Sequence, residues 1–152
     1  MGFMFGSLGA KVTVLGLAGD DGPADVLEQR LTAAGAVCRF TRIADCPTIT
    51  KLRVLSRHQQ LIRLDFEEDF EQADYAGMQA DYAQLLQSVD AVILSDYGKG
   101  ALRQLGELIT AAREAGKSVL VDRKGNDFSI LQGATRMTHN FMWFKGGCDI
   151  GK

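Results

Sequence analysis

Three short runs in this sequence bring together polar or charged side chains and a glycine or asparagine, each at the end of a segment that reads as a strand. They are Asp96-Tyr97-Gly98-Lys99-Gly100, Asp122-Arg123-Lys124-Gly125 and Thr138-His139-Asn140. Glycine lets a backbone close on a ligand, lysine meets an anion, and an aspartate orients a hydroxyl or a metal-bound water. Any one of these runs also reads as a plain solvated turn before a helix. Their recurrence at the same point after successive apolar runs favours a crevice that handles phosphate, because ligands of open α/β sheets bind beyond the carboxyl ends of the strands.

A second constellation lies in Thr48–Leu55 and Leu61–Phe66, which read as the two arms of a β-hairpin around a loop from Ser56 to Gln60. Pairing Lys51 with Asp65 sets Leu52 against Leu64, Arg53 against Arg63 and Val54 against Ile62. One face then carries Lys51, Arg53, Arg63 and Asp65, and the other Leu52, Val54, Ile62, Leu64 and Phe66. Like charges directly opposite destabilise a strand pair, so the Arg53–Arg63 pairing predicts an anion on that face. The plain alternative is a solvated edge hairpin whose cations discourage aggregation. The apolar face needs cover from the sheet or from a second subunit.

The elements that must position these residues follow from periodicity. Lys11–Leu17, Val37–Ile43, Ala91–Ser95, Ser118–Asp122 and Ala134–Thr138 read as strands. Helices are expected from Pro23 to Ala34, from Tyr75 to Ser88 and from Ala101 to Ala115, with Gly35 and Gly116 as stops. Strands alternating with helices predict an α/β fold with a mostly parallel sheet covered on both faces. No linker or repeat interrupts it, so residues 1–152 are expected to form one domain.

Composition narrows the function. The 152 residues are 46% apolar, enough for one compact core without a disulfide or metal staple. Seventeen basic against nineteen acidic residues give a formal charge of −2, which argues against a nucleic-acid binder. No apolar run reaches the ~18 residues of a membrane-spanning helix, and Met1–Phe5 is too short for a secretory signal. Cys38, Cys46 and Cys148 lack C-x-x-C spacing and read as reduced thiols of a cytoplasmic protein. His58 and His139 alone could supply imidazole to a zinc site, so none is expected. The dinucleotide fingerprint, the G-x-x-x-x-G-K-[ST] loop and the G-x-S-x-G elbow are all absent.

Three segments, Thr48–Arg57, Gln59–Glu68 and Leu94–Leu102, closely resemble the kinase half of the bacterial bifunctional heptose 7-phosphate kinase/heptose 1-phosphate adenylyltransferases. These belong to the ribokinase-like carbohydrate kinases, and the likeness runs from about Ser7 to Asn140. It implies a ribokinase-like fold, here partial, with residues 48–66 as a hairpin lid that packs against the same element of a second subunit in a homodimer. It implies ATP-dependent phosphorylation of the anomeric hydroxyl of D-glycero-D-manno-heptose 7-phosphate, on the route to ADP-heptose for lipopolysaccharide core. By the same resemblance, Lys51, Arg53, Arg63, Asp96 and Lys99 are sugar-side contacts. Lys124 matches the lysine of a D-P-K-G turn, and Asn140 the asparagine of an N-x-x-E element serving ATP and its magnesium.

The departures from that pattern are specific. Trp143 stands at the glutamate of N-x-x-E, and Arg123 and His139 replace prolines of the two turns. No counterpart of the opening strand, of the Gly-Gly sugar segment or of the G-A-G-D segment carrying the catalytic base occurs, and the paired-histidine adenylyltransferase motif is missing as well. Read as a kinase domain truncated at both ends, the chain alone is expected to have no catalytic residue of its own and no turnover. Two further expectations are a non-catalytic dimerisation module built on the apolar hairpin face, and a protein that binds a sugar phosphate without converting it.

Overall fold

The computed structural model describes residues 9–57, 59–68, 70, 75–98, 102–123 and 131–138. Among these, the chain divides into two compact units, residues 1–81 and 82–152.

The first unit opens with a β-α-β element. Strand β1 (Thr13–Gly19) leads into helix α1 (Gly22–Ala33), and β2 (Val37–Ile43) returns parallel to β1, with Thr13 beside Val37 and Gly19 beside Ile43. Asp21 caps α1: its Oδ1 accepts the Ala24 N–H at 3.0 Å, and Pro23 occupies the first turn, where a missing N–H costs nothing. The helix stops at Gly35, which takes φ +84. The Ala36 N–H then reaches the Leu31 carbonyl and the Gly35 N–H the Thr32 carbonyl, closing a Schellman motif. Ala24 and Leu31 are buried, whereas Val26 and Leu27 stay exposed.

The hairpin follows as β3 (Thr50–Ser56) and β4 (Gln59–Phe66), with Lys51 opposite Asp65, Leu52 opposite Leu64, Arg53 opposite Arg63 and Val54 opposite Ile62. Beyond Val54 the ladder differs from the simple alternation. The register shifts, so that Leu55 pairs with Gln60 and Ser56 with Gln59. Leu61 becomes the extra residue of a bulge, and Arg57, just past β3, takes φ +52. A tight turn spares the chain the longer loop that the uninterrupted register would need.

Helix α2 (Tyr75–Leu86) crosses from the first unit into the second. The second unit is a parallel sheet, β5 (Ala91–Asp96), β6 (Ser118–Arg123) and β7 (Arg136–Thr138), in that order, with helix α3 (Leu105–Glu114) between β5 and β6. Leu94, Val119 and Val121 are buried on one face of the sheet, and Leu105, Leu108, Ile109 and Ala112 are buried along one side of α3. Tyr82 donates from its hydroxyl to the Leu108 carbonyl at 2.9 Å, and burial pushes its pKa up to about 12. Gly116 (φ +72) ends α3 with a second Schellman motif, Lys117 N–H to Ala112 and Gly116 N–H to Arg113. Helix α3 begins at Leu105 and not at Ala101: residues 102–104 form a turn, and the capping residue Gln104 makes no side-chain cap bond.

Candidate functional site

In the second unit, β5 and β6 run parallel with Asp96 beside Arg123 at their carboxyl ends. Asp96 is the one buried charged side chain among the described residues, 8% exposed. Its Oδ1 accepts the Gly98 N–H at 2.9 Å, and its Oδ2 accepts from Arg123 Nε at 2.9 Å. The first bond folds the chain back on itself after the strand, and Gly98 supplies the φ of +68 that the turn requires. The next residue makes a second tie, for the Tyr97 hydroxyl donates to Asp122 Oδ2 at 3.1 Å. That bond, with the carboxylate charge behind it, holds the Tyr97 phenol above its ordinary pKa. Residues 96 and 97 are thus tied to 123 and 122, which clasps the two strand ends together.

This arrangement refines the expectation for Asp96. Each carboxylate oxygen has one partner within the chain, through which Asp96 shapes the turn, and each keeps a lone pair that a further donor can use. Tyr97, Asp122 and Arg123 were not singled out as site residues by sequence reasoning, although two of them lie in the second charged run. Their connection depends on strand register, which residue types alone do not reveal. Lys99, Lys124 and Asn140 lie outside the described residues, as do His58, His139, Trp143 and Cys148.

In the first unit, the hairpin brings Lys51, Arg53, Arg63 and Asp65 to one face. Arg63 grips Asp65 two residues on, Nε to Oδ1 at 3.0 Å and Nη2 to Oδ2 at 2.9 Å. This fork-on-carboxylate geometry raises the Arg63 pKa and neutralises half of the Arg53–Arg63 opposition. Lys51 Nζ lies 2.7 Å from Glu67 Oε1. Asp65, on the same strand as Arg63, thus eases the like-charge pairing from within the hairpin. Arg53 has no hydrogen bond or ion pair among the described residues, which leaves it as the uncompensated cation of this face. On the opposite face Leu52, Val54, Ile62, Leu64 and Phe66 are all exposed, Phe66 by 53%.

The root of the hairpin is fixed by a network that the sequence did not advertise. Asp21 accepts the Thr48 N–H on Oδ2 at 2.7 Å and the Thr48 hydroxyl on Oδ1 at 2.6 Å, while Thr48 Oγ1 accepts the Gly19 N–H at 2.9 Å. The Thr48 hydroxyl is the main cause holding the Asp21 carboxyl below its ordinary value of 3.8. A lowered folded-state pKa means that this network stabilises above the unfolded value and is lost as pH falls through the folded one. Asp21→Asn is therefore expected to flatten the loss of thermal stability seen on acidification below about pH 3.8, which melting curves from pH 6 to pH 2.5 would read. Nearby, Arg42 Nη2 bonds Glu28 Oε2 at 2.6 Å and lies 3.0 Å from Asp25 Oδ1, pairs that tie β2 to α1.

Nothing in this set is a ready metal seat. No group of three or more His, Cys, Asp or Glu side chains converges among the described residues, and Asp96 is engaged at both oxygens. Burial, then the Glu68 and Asp21 charges, push the Cys46 thiol up, which disfavours the nucleophilic thiolate.

Known proteins agree with this architecture. The possible 1-phosphofructokinase of Thermotoga maritima superposes with a TM-score of 0.74 at 17% identity, over 93% of this chain and 47% of that one. Arabidopsis thaliana ribokinase, solved with ribose and ATP, gives 0.72 at 14% identity, over 95% and 48%. Such neighbours share the ribokinase-like fold. In sequence, the bifunctional protein HldE of Pseudomonas syringae pv. tomato is 50% identical over 146 residues, 94% of this chain and 31% of the relative. HldE of Alcanivorax borkumensis is likewise 50% identical over 146 residues, 96% of this chain and 31% of its own length. The chain thus spans about a third of these relatives. Residues 3–142 match the pfkB family carbohydrate kinase pattern through both units, and the chain belongs to that family.

Proposed function

We propose that this chain carries the sugar-phosphate side of a heptose 7-phosphate kinase within a single ribokinase-like domain whose residues 48–66 form the lid. The reaction of such an enzyme breaks the bond between the β–γ bridging oxygen and the γ-phosphorus of ATP and forms one to the anomeric oxygen, whose proton passes to a base. Lys51, Arg53 and Arg63 serve the sugar phosphate, with Asp96 shaping the turn that precedes Lys99; Lys124 and Asn140 serve ATP. The observation that carries this reading is the identity of about 50% with HldE over nearly the whole chain, which includes the hairpin that puts three cations on one face. Magnesium would accompany ATP at Asn140, where it would neutralise phosphate charge. The free thiols Cys38 and Cys46 suit a cytoplasmic location, and among the described residues no helix is long and apolar enough to cross a membrane.

These 152 residues contain no G-A-G-D base segment, and loss of a general base alone costs ~10²–10⁴-fold in rate. The isolated chain is expected to bind the sugar phosphate and not to turn it over. A coupled ADP-release assay with heptose 7-phosphate should stay at the protein-free rate; ATP-dependent turnover by the purified chain would overturn this.

A second reading is favoured by the apolar hairpin face. Leu52, Val54, Ile62, Leu64 and Phe66 make a contiguous stripe that a lone hairpin cannot hide, and a second copy of the same hairpin offers a matching surface. Light scattering is expected to find a dimer for the wild type and a monomer for Leu64→Asp. A monomer in both would rule the homodimer out.

A further inference from the structure

The clasp at the carboxyl ends of β5 and β6 has a residue whose role goes beyond packing. Asp96 is buried, and its carboxylate is divided between the Gly98 N–H and Arg123 Nε. A buried carboxylate keeps its place only with a charge partner; deprived of it, the group swings toward water or draws water in. Swinging out gives up the Gly98 bond, and with it the constraint that holds Gly98 at φ +68. Arg123 sits directly opposite Asp96 in the strand register, so the guanidinium reaches the carboxylate from the neighbouring strand. The Tyr97–Asp122 bond secures the next pair of residues but leaves the Asp96 charge unmet.

We infer that Arg123 is a positioning residue: through its ion pair with Asp96 it fixes the Asp96–Gly98 turn in the shape that the sugar-phosphate site at the end of β5 requires. The inference rests on the sugar-phosphate reading above and adds to it a residue that acts on the site through another side chain. It also makes the turn after β5 dependent on the residue that ends β6. What disturbs one strand end is felt at the other.

The test compares Arg123→Ala, Arg123→Lys and Arg123→Gln, whose amide can still donate to Asp96 from the place of the arginine Nε but carries no charge. Two readouts are taken on the full chain: exchange of the Gly98 amide by NMR, and the affinity for heptose 7-phosphate by titration calorimetry. Arg123→Ala is expected to speed Gly98 exchange and to weaken binding by roughly 2–30-fold, the range for residues that act through a network. Arg123→Lys, which keeps the charge, should recover part of both. Arg123→Gln, which keeps the donor, should likewise recover part of both, and the two conservative variants decide the matter if Arg123→Ala fails to fold. Weaker binding in Arg123→Ala with Gly98 exchange unchanged would overturn the inference, because the guanidinium would then act on the ligand itself. So would wild-type affinity in Arg123→Ala, or a loss in Arg123→Lys and Arg123→Gln equal to that in Arg123→Ala. If the wild type binds no heptose 7-phosphate, the sugar-phosphate reading fails and takes the inference with it, whereas the preceding outcomes leave that reading standing.

Discussion

Gly19→Ala is expected to unfold the root of the hairpin. Gly19 ends β1, and a Cβ there would drive into the Cys46 carbonyl oxygen and lie 2.7 Å from the Thr48 nitrogen and 3.0 Å from Asp21 Oδ2. Two of these three atoms are backbone, which cannot yield as a flexible side chain does. They also belong to the network in which Thr48 is held by Asp21 and Gly19. Making room for one methyl group therefore means parting β1 from the segment that leads into β3. Overpacking typically costs 1–3 kcal/mol, and a clash with fixed backbone belongs at the top of that range, about 3 kcal/mol. For a chain of this size that corresponds to a melting temperature lower by roughly 6–12 °C. Gly16 is the control: a Cβ there meets nothing within 4 Å, so Gly16→Ala should melt close to wild type.

Arg53→Glu is expected to separate stability from binding. Arg53 lies opposite Arg63 in the ladder, whose own charge is taken up by Asp65. Reversing Arg53 turns a like-charge pair into an opposite-charge pair, so the hairpin should hold as well or slightly better. The same change removes the uncompensated cation of the charged face and puts a carboxylate where a phosphate would approach. A hydrogen bond to a charged group is worth about 1.5–3 kcal/mol, so affinity for a sugar phosphate should fall roughly 10–150-fold. Arg63→Gln should weaken binding less, because that guanidinium is already committed to Asp65. Calorimetry and a melting curve on each variant check both halves. Parallel losses of stability and affinity in Arg53→Glu, or a larger binding loss in Arg63→Gln, would contradict the assignment.

Much of the fold is legible in the residues, because it follows from local rules. Gly35 and Gly116 announce the helix ends, and both take the left-handed conformation that closes a Schellman motif. Alternation from Lys51 to Val54 and from Ile62 to Asp65 fixes the hairpin register, since a slip of one residue would exchange its two faces. The bulge at Leu61 is not legible, because a shift of register near the hairpin end leaves no mark in the hydrophobic pattern. Nor is the late start of α3, where Leu102-Arg103-Gln104 has helical composition but forms a turn.

The candidate site divides in the same way. Its charged residues stand out by type, but their partners do not. Asp96 and Arg123 are 27 residues apart, as are Asp21 and Thr48, and only tertiary pairing brings each couple together. The cations Lys51, Arg53 and Arg63 are legible by type and register, whereas the ion pairs of Lys51 with Glu67 and of Arg63 with Asp65 depend on side-chain placement. Arg123 stood out in the sequence as a departure from a proline-containing turn. The neighbouring strand supplies the reason an arginine is useful there.

The claim on which the account depends is that these residues bind a phosphorylated heptose. Titration calorimetry of the purified wild-type chain with heptose 7-phosphate, alongside the unphosphorylated heptose, tests it most directly. The account predicts saturable heat at one sugar phosphate per chain, with the unphosphorylated sugar binding far more weakly. Heats no larger than dilution for the phosphorylated sugar, or equal binding of the two sugars, would contradict it.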